Sequence, residues 1–312
     1  MSYIVGAYAA SPTDTKSKEF AQLYQRLADN PLVGGLELPS HHLADPAATA
    51  AIAAAAGPAG WRHIVTCFPG TMFALADDPT AGLAADDDAA RGRAVARIRA
   101  LAEHIAGFVA TGGGEIGTVL LHSAPRGGSA AALRRSLTEL ADIDWGTAQL
   151  AIEHSDAPAP GHTAEKGFLT LDDELAAVAD LPNVGVLVNW GRSALETRSA
   201  DGPVRHLDAT AAAGKLTGLM FSGVADTDNS YGAAWTDGHL PPTPVAPASL
   251  MTVAEMARSL QAAGNPKVLG AKVSARKLDG SAGDPSLQDR LGVIEQTLQA
   301  VEQARQAAPA VS

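Results

Sequence analysis

The sequence predicts an α/β fold, a single (β/α)8 barrel that spans residues 1–312. Eight short apolar runs alternate with segments of helical period, and this alternation is typical of parallel strand–helix units. Most runs are continuously apolar, as expected for strands buried on both faces. The runs start at 3, 32, 62, 116, 148, 184, 216 and 267, and five of the seven spacings lie between 29 and 36 residues, the length of one unit. A doubly wound open sheet is the alternative.

Each strand and several helices can be placed from local pattern. The predicted strands are Tyr3–Tyr8, Leu32–Leu38, Arg62–Phe68, Ile116–His122, Ala148–His154, Val184–Trp190, Leu216–Ser222 and Lys267–Val273. Apolar residues with a period near 3.6 mark helices around 20–27, 95–108 and 287–301. Asp45-Pro46 and Asp284-Pro285 predict helix starts, because Asp caps a helix and proline fits its first turn. We expect about residues 307–312 to form a disordered tail.

Two connections are longer than the others. The strand starts at 62 and 116 are 54 residues apart, and those at 216 and 267 are 51 apart. The surplus lies in Pro69–Arg91 and Gly223–Leu250, so we predict extended loops after strands 3 and 7. Both extend the face where barrel strands end and barrel enzymes build their sites. The second loop is typical of a lid or a partner-contacting arm.

Composition limits the partners. The chain has 34 acidic and 23 Lys or Arg residues, a net charge of −11. This excess argues against duplex DNA and anionic membranes, which bind basic surfaces. Cys67 is the single cysteine, so no intramolecular disulfide is expected, and a buried structural thiol is the interpretation. With no signal-peptide pattern and no apolar stretch of about 18–20 residues, we expect a cytoplasmic protein.

Ionisable side chains close several of the apolar strands, and they are the catalytic candidates. Glu153 is predicted as a general base or metal-binding carboxylate, or else as half of an ion pair with Lys272. His122 is predicted as a general acid/base or ligand, or as a hydrogen-bonded histidine of the barrel mouth. Lys272 is predicted to stabilise an enolate, bind an anion or form a Schiff base, or to pair with Glu153 or Glu37. His154 follows Glu153 and should face the helices.

A second set of strand-end and loop residues is predicted to bind the substrate. Adjacent residues of an extended chain diverge, so only one of His41 and His42 is expected at the pocket. Trp190 and Trp235 are candidates for stacking on a sugar ring or for a subunit contact. The set comprises Glu37, His41, Asn189, Trp190, Arg192, Ser222, Trp235 and His239. Gly112–Gly117 fits G-x-G-x-x-G but precedes a strand, so no dinucleotide site is predicted.

Two segments carry a resemblance. Val33–Pro39 after strand two and Leu150–His154 in strand five resemble the xylose-isomerase-like TIM barrels, a superfamily of sugar isomerases, epimerases and endonucleases of the endonuclease-four type. The sequence looks closest to an uncharacterised branch. The resemblance implies a small-molecule carbohydrate as partner and allows a homo-oligomer.

The resemblance also implies a metal-ligand pattern that this chain only partly keeps. Metal-dependent epimerases of the superfamily use Glu on strand five, Asp on strand six, His near strand seven and Glu on strand eight. Glu153 matches the first position, but Asn189, Ser222 and Lys272 stand at the others, with Arg192 where a His often follows. An amide and an ammonium remove charge that a divalent ion needs. No cofactor is therefore expected, and a divalent metal (Mn, Mg or Zn) on Glu153 is the alternative.

The resulting hypothesis is a sugar isomerase/epimerase-like enzyme. Glu153 or His122 would remove a proton alpha to the carbonyl of a carbohydrate or sugar acid, and Lys272, Asn189 or Arg192 would hydrogen-bond the enediolate. Expulsion of a beta leaving group would make the enzyme a lyase. The alternatives are a non-catalytic carbohydrate-binding barrel, in which Lys272 neutralises Glu153 and no pocket is open, and a glycosidase-like hydrolase using Glu153 with Glu37.

Overall fold

Eight parallel strands close into a barrel in chain order in the computed structural model, which describes residues 2–308. The closed ring confirms the predicted (β/α)8 barrel and excludes the open sheet. The strands are β1 (Tyr3–Val5), β2 (Val33–Pro39), β3 (Arg62–Thr66), β4 (Glu115–Leu121), β5 (Gln149–Glu153), β6 (Val184–Asn189), β7 (Leu216–Phe221) and β8 (Val268–Ala271).

The helices form the outer layer around this ring. They are α1 (Lys18–Ala28), α2 (Ser40–Leu43), α3 (Pro46–Ala59), α4 (Phe68–Asp77), α5 (Asp88–Ala110), α6 (Ala130–Ala141), α7 (Leu171–Val178), α8 (Trp190–Thr197), α9 (Gly202–Ala212), α10 (Val253–Ala263) and α11 (Leu287–Ala307). Phe20 and Leu23 of α1 and Ile98 of α5 are buried against the strands, as their helical spacing predicts. The main hydrophobic core therefore lies between the strands and the helices.

Several strands end earlier than predicted. β1 stops at Val5 because Ala7–Ala9 turns into a 3₁₀ helix. β6 stops at Asn189 because that side chain accepts a hydrogen bond from the Arg192 N–H and begins α8. Arg192 and Ser222 thus belong to a helix start and a loop above the barrel, whereas Glu37 and Glu153 lie on strands.

One of the two proline-marked helix starts is correct. Asp45 caps α3 by accepting a hydrogen bond from the Ala47 N–H at 2.9 Å, with Pro46 in the first turn. The predicted start at Asp284-Pro285 is wrong, because Ser286 caps α11 through a reciprocal pair of hydrogen bonds with Asp289. The helix also continues through Ala307, where a tail was predicted, while the rest of that tail, residues 309–312, lies outside the described residues.

A small apolar cluster fills the interior of the barrel and fixes which side chains face the mouth. It comprises Ile64, Leu120, Ala151, Leu187, Met220 and Val268. Alternate residues of a strand point to the same side. His122, Glu153, Asn189 and Ser222 each lie two residues beyond a member of this cluster, so their side chains continue the interior column upward.

The two extended connections differ in structure. The segment after β3 contains α4, whereas the one after β7, residues 222–252, contains no helix. Its base is pinned by an antiparallel bridge in which Gly223 and Leu240 exchange backbone hydrogen bonds of 2.8 and 3.0 Å. A Cβ on Gly223 would lie 2.6 Å from the Leu240 carbonyl oxygen, so glycine permits this close approach.

A helix that crosses a membrane must be both long and apolar. Within residues 2–308, every helix is too short or too polar to cross a bilayer.

Cys67 is buried at 2% exposure, and burial raises the pKa of its thiol to about 12. A thiol with so high a pKa is a poor nucleophile at neutral pH, in agreement with the predicted structural role.

Candidate active site

Five strands bring polar side chains together at the carboxyl end of the barrel. Glu37 lies on β2 and Glu153 on β5, while His122, Asn189 and Lys272 end or follow β4, β6 and β8. All five are at most 2% exposed. Burying so many ionisable groups is costly unless they are paired.

The Glu153 carboxylate is the centre of this arrangement. Its Oε1 accepts hydrogen bonds from Asn189 Nδ2 at 2.9 Å and Lys272 Nζ at 3.1 Å, and it pairs with Arg192 Nη1 at 3.1 Å. Its Oε2 lies 3.0 Å from His122 Nε2. Burial alone would raise the pKa of Glu153, but Arg192 and Lys272 outweigh it and hold this pKa well below its usual range. Glu153 is therefore ionised and tightly held.

The turn from β6 into α8 delivers Arg192 to Glu153. Asn189 caps the helix, so Arg192 lies in its first turn, directly above the end of β5. A Cβ on Gly191 would lie 2.2 Å from the Ser222 carbonyl oxygen, so only glycine lets α8 begin this close to β7. The local sequence Asn-Trp-Gly-Arg thus sets the position of the guanidinium.

Lys272 joins the two glutamates. Its Nζ lies 2.9 Å from Glu37 Oε1 and 3.1 Å from Glu153 Oε1. A Cβ on Gly6 would lie 2.6 Å from Lys272 Cβ, so the glycine after β1 makes room for the lysine stem. Burial would lower the pKa of Lys272, but the two carboxylates raise it. Burial raises the pKa of Glu37 despite Lys272, which makes it the more basic of the two carboxylates.

His122 forms a carboxylate–imidazole pair with Glu153. Burial lowers the pKa of His122, so the ring is neutral at pH 7. Because Nε2 faces an ionised carboxylate, Nε2 carries the proton and Nδ1 keeps its lone pair. The Phe68 ring packs edge-on against the imidazole with centroids 5.0 Å apart. The pair therefore presents a neutral base with a fixed tautomer.

Three buried polar atoms around Glu153 find no hydrogen-bond partner within residues 2–308. They are Glu37 Oε2, His122 Nδ1 and Arg192 Nη2. An unmade hydrogen bond of this kind costs about 1–3 kcal/mol. Together they offer a carboxylate oxygen, a lone pair and a guanidinium N–H, which is a set complementary to a polar ligand.

The loop after β7 closes over this cluster. Asp237 Oδ2 accepts a hydrogen bond from Arg192 Nε at 3.1 Å, and its Oδ1 lies 3.2 Å from His239 Nδ1. His239 Nδ1 also lies 2.8 Å from Ser222 Oγ, so strand end and loop are joined. Burial would raise the pKa of Asp237, but His239 and Arg192 lower it far below its usual range. The loop, predicted as a lid or a partner-contacting arm, is thus attached to the cluster through an ion pair.

The structure assigns two predicted substrate-binding residues to other places. His41 is exposed on α2, where its ring contacts His42 and Phe73. Trp190 is fully buried, and its indole N–H donates to Ser259 Oγ of α10 at 3.0 Å, so it packs the helix layer and cannot stack on a ligand. Trp235 lies on the β7 loop, half-buried, with the Arg198 guanidinium 5.0 Å from its ring centroid.

Three residues that contact this cluster are absent from the predicted set. Asp237 lies between Trp235 and His239, which were both predicted to bind the substrate. It is the acidic residue of that short segment. Tyr8 follows β1, and its hydroxyl lies 3.4 Å from Glu37 Oε1; its place at the end of an apolar run is the signal that could have found it. The Phe68 ring lies 3.8 Å from the Arg192 guanidinium carbon, and no pattern in the sequence marks this contact.

The mouth does not fit the divalent metal that the superfamily pattern implies. Both oxygens of Glu153 are occupied by donors, and two of these donors, Lys272 and Arg192, are cations. A metal ion at Glu153 would be repelled by both cations, and it would meet the Asn189 amide and the Ser222 hydroxyl in place of a carboxylate and an imidazole.

His154 and Glu153 point to opposite sides of the barrel wall, as expected. His154 faces the helix layer, where it contacts Glu174 and Glu196.

The sequence matches a known family. Residues 4–292 match the family described as Domain of unknown function (DUF4862). An uncharacterized protein of Salmonella typhimurium, STM3670, is 35% identical over 261 residues, which cover 80% of this chain and 81% of that protein.

Solved structures share the fold at low sequence identity. A D-psicose 3-epimerase has a TM-score of 0.57 and 16% identity, covering 97% of this chain and 96% of that one. A xylose isomerase domain protein from Alicyclobacillus acidocaldarius has a TM-score of 0.56 and 16% identity, covering 98% and 99%. The neighbours are xylose-isomerase-like TIM barrels, as the resemblance predicted.

Proposed function

Because the chain belongs to the DUF4862 family and has the xylose-isomerase-like barrel fold, we propose that it is a sugar isomerase or epimerase that transfers a proton alpha to a carbonyl without a metal at the barrel mouth. The proposed substrate is a small carbohydrate or sugar acid. A D-psicose 3-epimerase among the structural neighbours supports this class of reaction.

The observation that carries the proposal is the set of three buried atoms around Glu153 that lack a hydrogen-bond partner in the described part of the chain. Proton transfer next to a carbonyl needs a base, a proton donor or acceptor for the product, and an electrophile for the enediolate oxygen. His122 Nδ1, Glu37 Oε2 and Arg192 Nη2 match these three needs in chemical type.

Their charges suggest a division of roles. Glu153 is a poor general base, because its lowered pKa lies far from neutrality. His122, neutral and backed by Glu153, is the better base, since the carboxylate stabilises the imidazolium that forms. Glu37, with its raised pKa, is the second acid/base group.

The proposed step begins with transfer of the alpha proton to His122 Nδ1. The electrons of the broken C–H bond move into the carbonyl, and Arg192 and Lys272 stabilise the negative oxygen. Return of a proton to the neighbouring carbon, with transfer of the hydroxyl proton from one enediolate oxygen to the other, gives isomerisation. Return to the opposite face from the protonated carboxyl of Glu37 gives epimerisation and leaves Glu37 ionised and His122 protonated, and exchange of a proton between them and water restores the site. If the intermediate carries a beta leaving group, elimination makes the same site a lyase.

A second candidate function is a carbohydrate-binding barrel without catalysis. The ion pair between Lys272 and Glu153 and the full burial of both favour it, because such a pair was its expected signature. The unpartnered atoms of His122 and Arg192 favour the enzyme, since a site that had lost its ligand chemistry would gain stability by losing them. A glycosidase-like role of Glu153 with Glu37 is disfavoured, because Lys272 lies between them.

The test is a product screen. The protein is incubated with a panel of ketoses, aldoses and uronates, and each mixture is followed by NMR for a new isomer or epimer. Formation of an isomer or epimer supports the proposal. If His122→Asn no longer forms this product, the activity is assigned to the barrel mouth. A ligand that raises the melting temperature without any product would instead support the binding barrel.

A further inference from the structure

We infer that a divalent transition-metal ion, with zinc as the best fit, binds behind β5 between His154, Glu196 and His206. This site lies on the helix side of the barrel and is separate from the proposed proton-transfer cluster. Within residues 2–308 it is the one group of three His, Cys, Asp or Glu side chains whose ligand atoms all lie within 4.8 Å of one another.

The three ligand atoms come from three different parts of the chain. His154 follows β5, Glu196 lies on α8 and His206 lies on α9. His154 Nε2 is 3.0 Å from Glu196 Oε2, and His206 Nε2 is 3.7 Å from Glu196 Oε1. Ligand atoms on one zinc ion lie at most roughly 4 Å apart, so small side-chain shifts complete the set. Two imidazoles and one carboxylate are a ligand set that zinc accepts.

Each histidine is oriented by a partner on its other nitrogen. His154 Nδ1 lies 2.7 Å from Glu174 Oε2, and Glu174 Oε1 in turn accepts a hydrogen bond from Ser123 Oγ at 2.5 Å. His206 Nδ1 lies 2.9 Å from Ser193 Oγ. Metal-binding histidines characteristically donate their second N–H to a carboxylate or another acceptor, which fixes the ring and its tautomer. Here both Nε2 atoms are left facing Glu196.

The charge of the cluster also favours a divalent cation. Glu174 is fully buried and the Glu196 side chain is 13% exposed, and the two carry two negative charges when ionised. A divalent ion with two neutral imidazoles balances both charges. In the metal-free geometry a proton on His154 Nε2 makes the contact with Glu196, and the ion replaces that proton, which passes to solvent.

The test measures zinc bound to the full-length protein after stripping with a chelator, reloading and desalting. We expect about one zinc ion per chain in the wild type and in His104→Gln, an exposed-histidine control on α5. Glu196→Gln and His206→Gln should lose stoichiometric zinc, and Glu174→Gln should weaken zinc affinity about 10–100-fold. Circular dichroism confirms that each variant is folded.

Glu153→Gln separates this site from the mouth. The Glu153→Gln variant should keep its zinc. If Glu153→Gln loses the zinc while Glu196→Gln keeps it, the assignment is overturned. A measurement on the wild type alone avoids dependence on the variants. Added Co²⁺ should give visible absorption bands of nitrogen and oxygen coordination that zinc abolishes, and their absence would also overturn the proposal.

Discussion

Lys272 is the residue on which the two buried glutamates of the mouth depend. It contacts both carboxylates with a side chain that is fully buried. Removing one partner of a buried ion pair leaves an uncompensated charge, at a cost of about 3–5 kcal/mol. We therefore expect Lys272→Met to lower the free energy of unfolding by that amount in urea denaturation. Lys267→Met, at an exposed lysine bonded to Gln149, should change it by less than about 0.5 kcal/mol.

The double variant checks the cause. Lys272→Met with Glu37→Gln removes a carboxylate together with the ammonium, so it should be more stable than Lys272→Met alone. The contrary outcome is that the double variant loses as much free energy of unfolding as Lys272→Met and Glu37→Gln lose in sum. In that case packing of the lysine stem explains the loss, and the electrostatic explanation is wrong.

The loop after β7 is attached to the barrel through Asp237. Asp237 pairs with Arg192 and His239, and its N–H donates to Glu165 Oε2 at 2.7 Å. A hydrogen bond to a charged group contributes about 1.5–3 kcal/mol. Asp237→Asn keeps the shape and loses the charge, so we expect cleavage within residues 223–250 to become at least about tenfold faster in limited proteolysis.

The control lies in the same loop. Asp226 is exposed, and Asp226→Asn should leave the cleavage rate unchanged. Equal rates for both variants and the wild type would show that the Gly223–Leu240 bridge, rather than Asp237, holds the loop.

Side-chain directions that follow from the regular period of a strand could be predicted from the sequence. Side-chain positions that depend on the conformation of a loop could not. Alternation along β5 correctly directed Glu153 into the mouth and His154 to the helices, because a strand has one fixed side-chain period. Trp190 was misjudged because the chain enters α8 at once, which turns the indole towards α10. Asp237 could not be placed, since its position depends on a loop without regular structure.

His63 makes the free energy of unfolding of the barrel depend on pH. Its Nδ1 accepts a hydrogen bond from the Leu36 N–H at 3.1 Å and its Nε2 lies 2.9 Å from the Gly113 carbonyl oxygen, which ties β2, β3 and the loop before β4 together. Burial lowers the pKa of His63 from 6.5 to about 4. Between pH 6.5 and pH 4, His63 is therefore protonated in the unfolded chain but neutral in the folded chain. The free energy of unfolding decreases as pH falls through this range.

This loss amounts to about 3 kcal/mol at its limit, from about 1.4 kcal/mol per pKa unit. We expect urea unfolding between pH 7 and pH 4.5 to show a shallower pH dependence in His63→Gln than in the wild type. His104→Gln, at an exposed position, should keep the wild-type slope. An unchanged slope in His63→Gln would assign the acid sensitivity to other groups.

The proposed function requires that the mouth of this barrel moves a proton next to a sugar carbonyl through His122. The most direct measurement is the rate at which the carbon-bound alpha proton of a ketose or uronate substrate exchanges with deuterium from D₂O, followed by NMR. The wild-type protein should exchange this proton, and His122→Asn should exchange it about 10²–10⁴-fold more slowly, which is the usual contribution of a general base. Exchange at the wild-type rate in His122→Asn, or no exchange with any sugar that the protein binds, would contradict the proposed function.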